Sequence, residues 1–215
     1  MLPQTPASKI CENKHRAPMP LHIRPARQDD RAALFNICLL TADSGTDASA
    51  LFSDPDYPGL VWSVPYLDFA PEHAFVVDDD GEAVGYIVGT PDTTAFEARL
   101  DAEWWPQLAK QYAGRTAKAP FDAKVLDRIA APAHSHPGVV ATHPAHLHIN
   151  LLPPAQSGGW GRKLIEAELA SLRQAGARAV HLGVSPTNTR AIGFYHHLGF
   201  EEIERSEGLH LGKAL

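Results

Sequence analysis

The sequence predicts an α/β domain in which β-strands and amphipathic helices alternate. The first indication is a strand-like run at residues 146–151 that passes through a glycine-rich loop directly into a helix with apolar residues at helical spacing. The second is a pair of strand-like runs, 73–78 and 82–90, joined by Asp-Asp-Gly, which is a strong hairpin signal because the turn needs positive φ. The third is size, because 215 residues, 44% hydrophobic and 20% charged, suit one hydrophobic core.

The remaining elements follow from composition and periodicity along the chain. Residues 1–20 mix Pro, Lys, Ser and Glu without periodicity, which predicts a flexible tail before a single domain at 21–215. The other predicted elements are a strand at 21–27, a helix at 28–43 with Leu34, Ile37, Cys38 and Leu40 on one side, a loop at 44–58, a second helix at 60–69, helical segments at 94–114 and 121–129, and a strand at 179–185.

The glycine-rich loop after residue 151 is the stretch with the clearest chemistry. The strand before it alternates, with His146, His148 and Asn150 on the polar side, and a Pro-Pro pair ends it. Glycines allow the loop to aim successive N–H groups at one point, and the helix that follows contributes the positive end of its dipole. The loop is therefore a candidate phosphate cradle, although the same glycines would also let a helix pack closely against a sheet.

The spacing of the loop distinguishes between kinds of nucleotide site. It is neither the GxGxxG of a dinucleotide fold nor the GxxxxGK[ST] of a P-loop. Gln156, Gly159 and Gly161 match the pattern Q/R-x-x-G-x-G/A. By this pattern the loop resembles the acetyl-coenzyme A loop of the GNAT family of N-acetyltransferases.

A second motif of the same family follows at the expected distance. Asn188, Ala191, Tyr195, Gly199 and Phe200 match the pattern N-x-x-A-x-x-x-Y-x-x-x-G-F, in which a short helix follows the fifth strand. The same residues also suit a plain amphipathic helix that ends at a glycine C-cap. Together the two motifs cover about 60 residues in the family's order.

The resemblance implies a fold in more detail than the periodicity does. It implies the GNAT fold, an α/β (α+β) fold with a mixed, mostly antiparallel sheet of about seven strands flanked by helices, with strands four and five parallel and splayed around the pantetheine arm. The helical segments from 94 to 129 then form an insertion between strands three and four. Residues 60–215 further resemble one subgroup, the acetyltransferase-like domain at the C-terminus of animal nucleocytoplasmic O-GlcNAc hydrolases and its free-standing bacterial relatives.

The resemblance also implies which residues hold acetyl-CoA, the expected cosubstrate. Leu151 is expected to act through its main chain, bonding the pantetheine arm and polarising the thioester carbonyl. Asn188 is expected to bond the pantetheine or the adjacent backbone, but an asparagine there can equally cap the helix. The predicted coenzyme-binding residues are Leu151, Leu152, Pro153, Gln156, Ser157, Gly158, Gly159, Trp160, Gly161, Arg162, Asn188, Ala191 and Phe194.

Acetyl transfer to an amine needs an acid for the departing thiolate and a route for the proton of the amine. The resemblance assigns the acid to Tyr195, whose alternative role is packing in the core. The candidate for the base is His148, on the polar side of the fourth strand, whose alternative is a structural histidine. Asn150 beside it cannot take a proton, but it could hold a water.

The predicted function is therefore an acetyl-CoA-dependent N-acetyltransferase. The acetyl group would pass to an amine of a small molecule or a protein by direct attack in a ternary complex. Two alternatives remain open from the sequence: a pseudo-acetyltransferase that binds CoA without turnover, and a module that binds a partner. The sequence does not distinguish a monomer from a homodimer.

Charge and composition exclude several other classes of function. A net charge of −6 and a pI near 6.0 argue against a nucleic-acid partner, which demands a basic face. Two cysteines do not make a disulfide framework, and no signal peptide or long apolar span is recognisable, so a cytoplasmic protein without a membrane partner is expected. No metal is expected, because the pairs His134/His136 and His146/His148 lack a cysteine or acidic partner at ligand spacing.

Overall fold

A computed structural model describes residues 20–205 and 208–215 of the chain. The seven strands of this part are β1 (His22–Pro25), β2 (Ala74–Asp79), β3 (Glu82–Thr90), β4 (Ala145–Leu151), β5 (Ala179–Val184), β6 (Glu201–Arg205) and β7 (Leu209–Ala214). They form one sheet in the order β1-β2-β3-β4-β5-β7-β6, in which only β4 and β5 run parallel. The predicted fold class is confirmed. Except for Pro20, the predicted tail lies outside the described residues, and the single domain at 21–215 stays a prediction.

Helices cover both faces of this sheet. They are α1 (Arg31–Leu39), α2 (Tyr57–Trp62), α3 (Val64–Phe69), α4 (Thr93–Arg99), α5 (Trp105–Gln111), α6 (Asp122–Ala130), α7 (Pro137–Thr142), α8 (Trp160–Gln174) and α9 (Thr189–His197). Side chains of α1 to α6 form one apolar cluster with Val76, Tyr86 and Val88, whereas α8 packs in a second cluster with Val77 and Ile87. Because successive strand residues point to opposite faces, the two clusters lie on opposite sides of the sheet.

The predicted hairpin between β2 and β3 has the turn that its residues favour. Asp80 and Gly81 both have positive φ, at 52° and 101°, as a two-residue type I′ turn requires. The predicted helical insertion is also present between β3 and β4, and it contains α4, a π-helical turn at Leu100–Trp104, α5 and α6.

Three details of the predicted helices are wrong. The helix expected at 60–69 is divided into α2 and α3 at Ser63, because Pro65 has no N–H to continue a helix and is tolerated only in a first turn. The first helix ends at Leu39, so that Leu39 is buried where Leu40 was expected. Helix α7 was not predicted, although Pro137 at its start is a helix-start signal.

Strands β4 and β5 separate soon after they pair. Their only paired positions among the described residues are Ala145 with Val180 and His146 with His181, after which β4 continues to Leu151 without β5 beside it. A gap therefore opens in the middle of the sheet. None of the helices in the described part of the chain combines the length and apolar character that a membrane crossing requires.

Candidate active site

A cleft of about 1180 Å³ opens where β4 and β5 separate. It is lined by Ile149 and Leu151, which pack in the cluster with α8, and by His148 and Asn150, which point to the other face. His148 lies against Tyr66 of α3, with ring centroids 5.5 Å apart. The cleft therefore passes through the sheet, from the face covered by α8 and α9 to the face covered by α1 to α6.

The main chain of β4 directs hydrogen-bonding groups into this cleft. Leu152 donates its N–H to the carbonyl oxygen of Val84 over 2.9 Å, which makes these two residues a hydrogen-bonded pair of the antiparallel ladder. Hydrogen-bonded pairs alternate along an antiparallel ladder with pairs whose main-chain groups point away from the partner strand. The N–H and C=O groups of Ile149 and Leu151 therefore point away from β3 and into the gap. The side chain of Gln156 donates to the Leu151 oxygen over 2.9 Å, so this carbonyl already has a partner within the protein.

The glycine loop turns through two left-handed residues before α8 begins. Gly158 and Gly159 have φ values of 70° and 76°, which side chains other than hydrogen rarely allow. Gly161 serves a different purpose, since a Cβ there would lie 3.2 Å from both Leu151 and Phe194. The loop thus combines two left-handed glycines, as an anion cradle requires, with close packing of α8 against β4 and α9. The packing role of its glycines is present, and the phosphate-binding role stays a prediction.

The first turn of α8 carries positive charge where a helix dipole disfavours it. Arg162 and Lys163 lie in this turn, which contains no acidic residue. The Lys163 ammonium is 3.8 Å from the ring centroid of Trp160, and Arg190 lines the cleft from the start of α9. A helix N-terminus favours anions through its dipole and free N–H groups, and these cations add to that attraction, although Arg162 also lies 3.7 Å from Glu166. This arrangement fits the phosphate groups of a coenzyme.

Most of the site residues predicted from the sequence line this one cleft, namely His148, Leu151, Gln156, Gly159, Trp160, Gly161, Arg162, Asn188, Ala191, Phe194 and Tyr195. Four others do not line it. Leu152 pairs with β3, Pro153 begins a short 3-10 turn, and Ser157 and Gly158 are exposed. The predicted roles of all these residues, including those that line the cleft, stay predictions.

The side chain of Asn188 has two partners within the protein. Its Oδ1 accepts the N–H of Ala191 over 3.0 Å and thereby caps α9, and its Nδ2 donates to the carbonyl oxygen of Ser44 over 3.1 Å. The capping role that the sequence left open is therefore present. The second bond connects α9 to the loop after α1, on the other side of the cleft mouth.

Tyr195, the predicted proton donor, lines the cleft. Its ring packs against Phe200 with centroids 5.8 Å apart, and its hydroxyl makes no hydrogen bond to the described residues. Burial raises the pKa of Tyr195 to about 12, so the phenol keeps its proton at neutral pH.

The two histidines of β4 have different surroundings. His146 is buried, with Nε2 2.6 Å from the Tyr66 hydroxyl and Nδ1 2.8 Å from the Thr93 hydroxyl, which identifies it as a structural residue rather than one on an open polar face. His148 lines the cleft. Burial, followed by the charges of His181 and Arg128, lowers the pKa of His148 to about 4, so its ring is neutral and weakly basic at neutral pH.

Several cleft residues were not identified from the sequence. They are contributed by the loop after α1 and by the region around α6, and include Thr41, Asp43, Phe52, Phe121 and Lys124. Composition predicts only that residues 44–58 form a loop, and no local signal indicates that the preceding residues reach β4. Thr41 is held beside β4 by a hydrogen bond that the amide of Asn150 donates to its hydroxyl.

A metal site is not apparent in the described part of the chain. No group of three or more His, Cys, Asp or Glu residues there is arranged to hold a metal ion. His134 lies 2.8 Å from Asp101, away from the cleft, as an exposed pair.

Comparison with known proteins agrees with this geometry. A family model described as the acetyltransferase (GNAT) family matches residues 45–200. A curated relative, protein O-GlcNAcase of Rattus norvegicus, is 25% identical over 211 residues, which are 96% of this chain but 22% of that protein. The chain thus spans about a fifth of the length of this relative.

Two solved structures illustrate the range of similarity. The crystal structure of SsHAT is 39% identical, with a TM-score of 0.80, and the match covers 90% of this chain and 98% of that one. The crystal structure of the NatC complex bound to Gag peptide and CoA contains a chain that is 15% identical with a TM-score of 0.53, and the match covers 92% of this chain and 99% of that one. The second likeness concerns the fold alone.

Proposed function

The chain belongs to the acetyltransferase (GNAT) family, and we propose that it is an acetyl-CoA-dependent N-acetyltransferase that acts on an amine acceptor. One observation carries this proposal. A single cleft connects the cationic start of α8 with the gap-facing main chain of Leu151 and with the hydroxyl of Tyr195. The CoA bound in the structure of the NatC complex supports the same choice of cosubstrate.

The residues of the cleft fit the two ends of the coenzyme. Arg162, Arg190 and the main chain after Gly159 would hold the phosphates, because cations and unpaired N–H groups meet there. Ile149 and Leu151 present main-chain groups to the gap, in the way that a strand edge pairs with an extended amide-containing chain. Bound acetyl-CoA supplies the acetyl group as an activated thioester.

The amine would attack the thioester directly. Cys38 lines the cleft, but burial raises the pKa of this thiol to about 11, so it is not a thiolate at neutral pH and does not suit an acetyl-cysteine route. The N–H of Leu151 would polarise the carbonyl by donating a hydrogen bond. Tyr195 would then give its proton to the departing thiolate sulfur, and solvent would return a proton to the resulting phenolate, which balances the proton that the amine releases.

The proton of the amine needs a separate route. His148 is the base candidate from the sequence and lines the cleft, and its neutral ring can accept a hydrogen bond from the amine or from a water beside it. A group with a pKa about 4 is a weak base for this task. We therefore assign His148 to orienting the amine or its water, and the proton passes to solvent in the cleft.

Two measurements test the proposed function. Titration calorimetry with acetyl-CoA reports binding, and release of free thiol over a panel of amines reports turnover, with mass spectrometry of the acetylated amine as confirmation. Binding together with thiol release supports the proposal. Binding without release from any amine supports instead the pseudo-acetyltransferase, and a chain that does not bind acetyl-CoA overturns both.

A further inference from the structure

The part of the cleft on the face covered by α1 to α6 is lined by aromatic rings and by two oppositely charged side chains. We call it the acceptor half, lined by Asp43, Phe52, Trp62, Phe121, Lys124 and His148. It lies across the sheet from the start of α8. An amine that meets the thioester in the gap, without displacing the phosphates, has to enter through this half.

Asp43 is the only carboxylate that lines the cleft within the described residues. Its main chain is held by a turn, in which its N–H donates to the Thr46 oxygen over 3.1 Å and the Thr46 hydroxyl donates to the carbonyl oxygen of Asp43 over 2.7 Å. The carboxylate itself makes no hydrogen bond or ion pair in the described part of the chain. The loop is thus ordered through its backbone, while the negative charge is available to a ligand.

The position of this loop is fixed at both ends. Thr41 receives a hydrogen bond from Asn150 of β4, and the carbonyl oxygen of Ser44 receives one from Asn188 at the start of α9. Asp43 lies between these two contacts. The backbone of Asp43 is therefore held between β4 and α9, and its side chain lines the cleft there.

An aromatic wall with a positive charge forms another part of the acceptor half. Phe121 and Phe52 pack edge to face with centroids 5.8 Å apart, and the Lys124 ammonium lies 3.9 Å from the centroid of the Phe121 ring. Lys124 is exposed on α6 and is one of three lysines or arginines that line the cleft, with Arg162 and Arg190. A second positive charge on an acceptor would be repelled by the Lys124 ammonium.

We propose that Asp43 binds the ammonium of the acceptor and that Lys124 disfavours a second positive charge on it. The acceptor class is then a primary amine with an apolar body and a single positive charge. This inference rests on the proposed acetyltransferase function, since it concerns the acceptor of that reaction. Aromatic rings suit an apolar body, and a carboxylate near the gap concentrates the ammonium form before the proton is lost.

The experiment compares three acceptors of the same length in the thiol-release assay. Hexylamine has one positive charge, the diaminohexane with an amine at each end has two, and the aminohexanoate with its groups at opposite ends has one positive and one negative charge. The parent protein should use the diamine least efficiently, as measured by kcat/KM.

Asp43→Asn should raise KM for all three acceptors by roughly fivefold, the size of one partly solvated ion pair, with a smaller change in kcat. Lys124→Gln should improve the diamine relative to hexylamine.

Matched variants separate these effects from general damage. Asp47→Asn changes a carboxylate of the same loop that is exposed and bonds to Ser49, over 2.8 and 2.6 Å, rather than lining the cleft, and it should leave KM unchanged. Lys110→Gln removes an exposed cation of α5 outside the cleft and should leave the order of the acceptors unchanged.

The outcomes that overturn the inference differ from those that overturn the proposed function. An unchanged KM in Asp43→Asn, or equal use of the diamine and hexylamine by the parent, overturns the inference. Thiol release from none of the three acceptors overturns it as well. The proposed function is judged separately, by calorimetric binding of acetyl-CoA to the parent together with thiol release over the wider panel of amines. Asp43→Asn should bind acetyl-CoA as the parent does.

Discussion

Asn188 caps α9 and at the same time donates a hydrogen bond to the carbonyl oxygen of Ser44, 3.1 Å away. The two residues belong to loops on opposite sides of the cleft mouth, so one side chain links the helix after β5 with the loop after α1. Ser44 itself has a φ of 53°, which is uncommon for a residue other than glycine. The cap and the link can be separated by substitution, because they use different atoms of the amide.

The first prediction concerns this residue. Asn188→Ser keeps an oxygen that can accept the Ala191 N–H but has no second group to reach Ser44, whereas Asn188→Ala loses both contacts. The alanine variant should lose about 1 kcal/mol of unfolding free energy, and the serine variant less than half of that. Urea unfolding measures both values. Equal losses would show that the link to Ser44, rather than the cap, contributes the stability.

The second prediction concerns the glycine loop. Gly159→Asp places a carboxylate among N–H groups that would face the phosphates of the coenzyme, so calorimetry should detect no binding of acetyl-CoA. Gly114→Asp is the matched control, since Gly114 has a φ of 74° against 76° for Gly159, and a Cβ at either position would meet no atom within 4 Å. Both variants bear similar backbone strain, but Gly114→Asp should bind normally. Unchanged affinity in Gly159→Asp would mean that the loop only packs α8 against the sheet.

The third prediction concerns Tyr195. Tyr195→Phe deletes the proposed proton donor but keeps the ring that packs against Phe200, so coenzyme affinity should stay within a few-fold while kcat falls. The decrease should lie at the low end of about 10²–10⁴-fold, because a coenzyme thiol is a good leaving group and water can replace the phenol. Because the pKa of Tyr195 is raised to about 12, kcat of the parent should not fall at alkaline pH through loss of this proton until far above neutrality. A variant with the parental kcat, when chemistry limits the rate, would make Tyr195 a packing residue.

The fourth prediction concerns the pH dependence that His148 confers. The pKa of His148 is lowered to about 4, so the ring is mainly charged only below about pH 4. It therefore stays neutral through the pH range in which the assay is run. The pH profile of kcat should therefore show no limb near the ordinary histidine pKa of about 6.5. His148→Gln should slow turnover by about tenfold or less. A limb near neutrality that disappears in this variant would identify His148 as the base after all.

The sequence predicts the elements of this site better than it predicts their contacts. The hairpin at Asp80 and Gly81, the glycine loop and the helix at Asn188 are encoded by neighbouring residues, and the structure contains all three. His146 shows the limit of such local patterns. Alternation assigns it to the polar side of its strand, but helices on that side bury it between Tyr66 and Thr93, residues 80 and 53 positions away.

The residues that the loop after α1 and α6 contribute to the acceptor half were missed for the same reason. Asp43 and Lys124 occupy stretches with no chemical motif, and they reach the cleft only because the loop after α1 and the inserted α6 fold over one face of the sheet. Such contacts depend on long-range packing, which the periodicity of a single segment does not predict. Motifs, in contrast, identify a site when the ligand is held by consecutive residues, as at the start of α8.

The last prediction concerns Glu168, a buried acid that the proposed mechanism does not use. It lies on α8 against Gly89 of β3, and within the described residues neither carboxylate oxygen has a hydrogen-bond partner. The nearest basic group is His73, whose Nδ1 is 3.6 Å away and lies 2.9 Å from the hydroxyl of Ser171. Burial, with a smaller effect of Glu72, raises the pKa of Glu168 to about 9, whereas burial lowers the pKa of His73. Both groups are therefore neutral at pH 7.

A raised pKa in the folded state makes stability depend on pH in a known direction. The folded protein binds a proton at Glu168 that the unfolded chain, with an ordinary pKa of 4.5, releases, so this contribution is complete below 4.5 and is lost as the pH rises towards about 9. Glu168→Gln removes the titration and keeps the shape. The unfolding free energy of the variant relative to the parent should rise between about pH 5 and pH 8, by at most about 1.4 kcal/mol for each pH unit. Urea unfolding at several pH values measures this difference, in which the contribution of His73 largely cancels because both proteins contain it.

Glu166→Gln, at an exposed position of the same helix, should give a difference that does not change with pH. If Glu168→Gln also gave a constant difference, Glu168 would be ionised in the folded protein, and the proton assigned to it would have to lie on His73 as a buried ion pair.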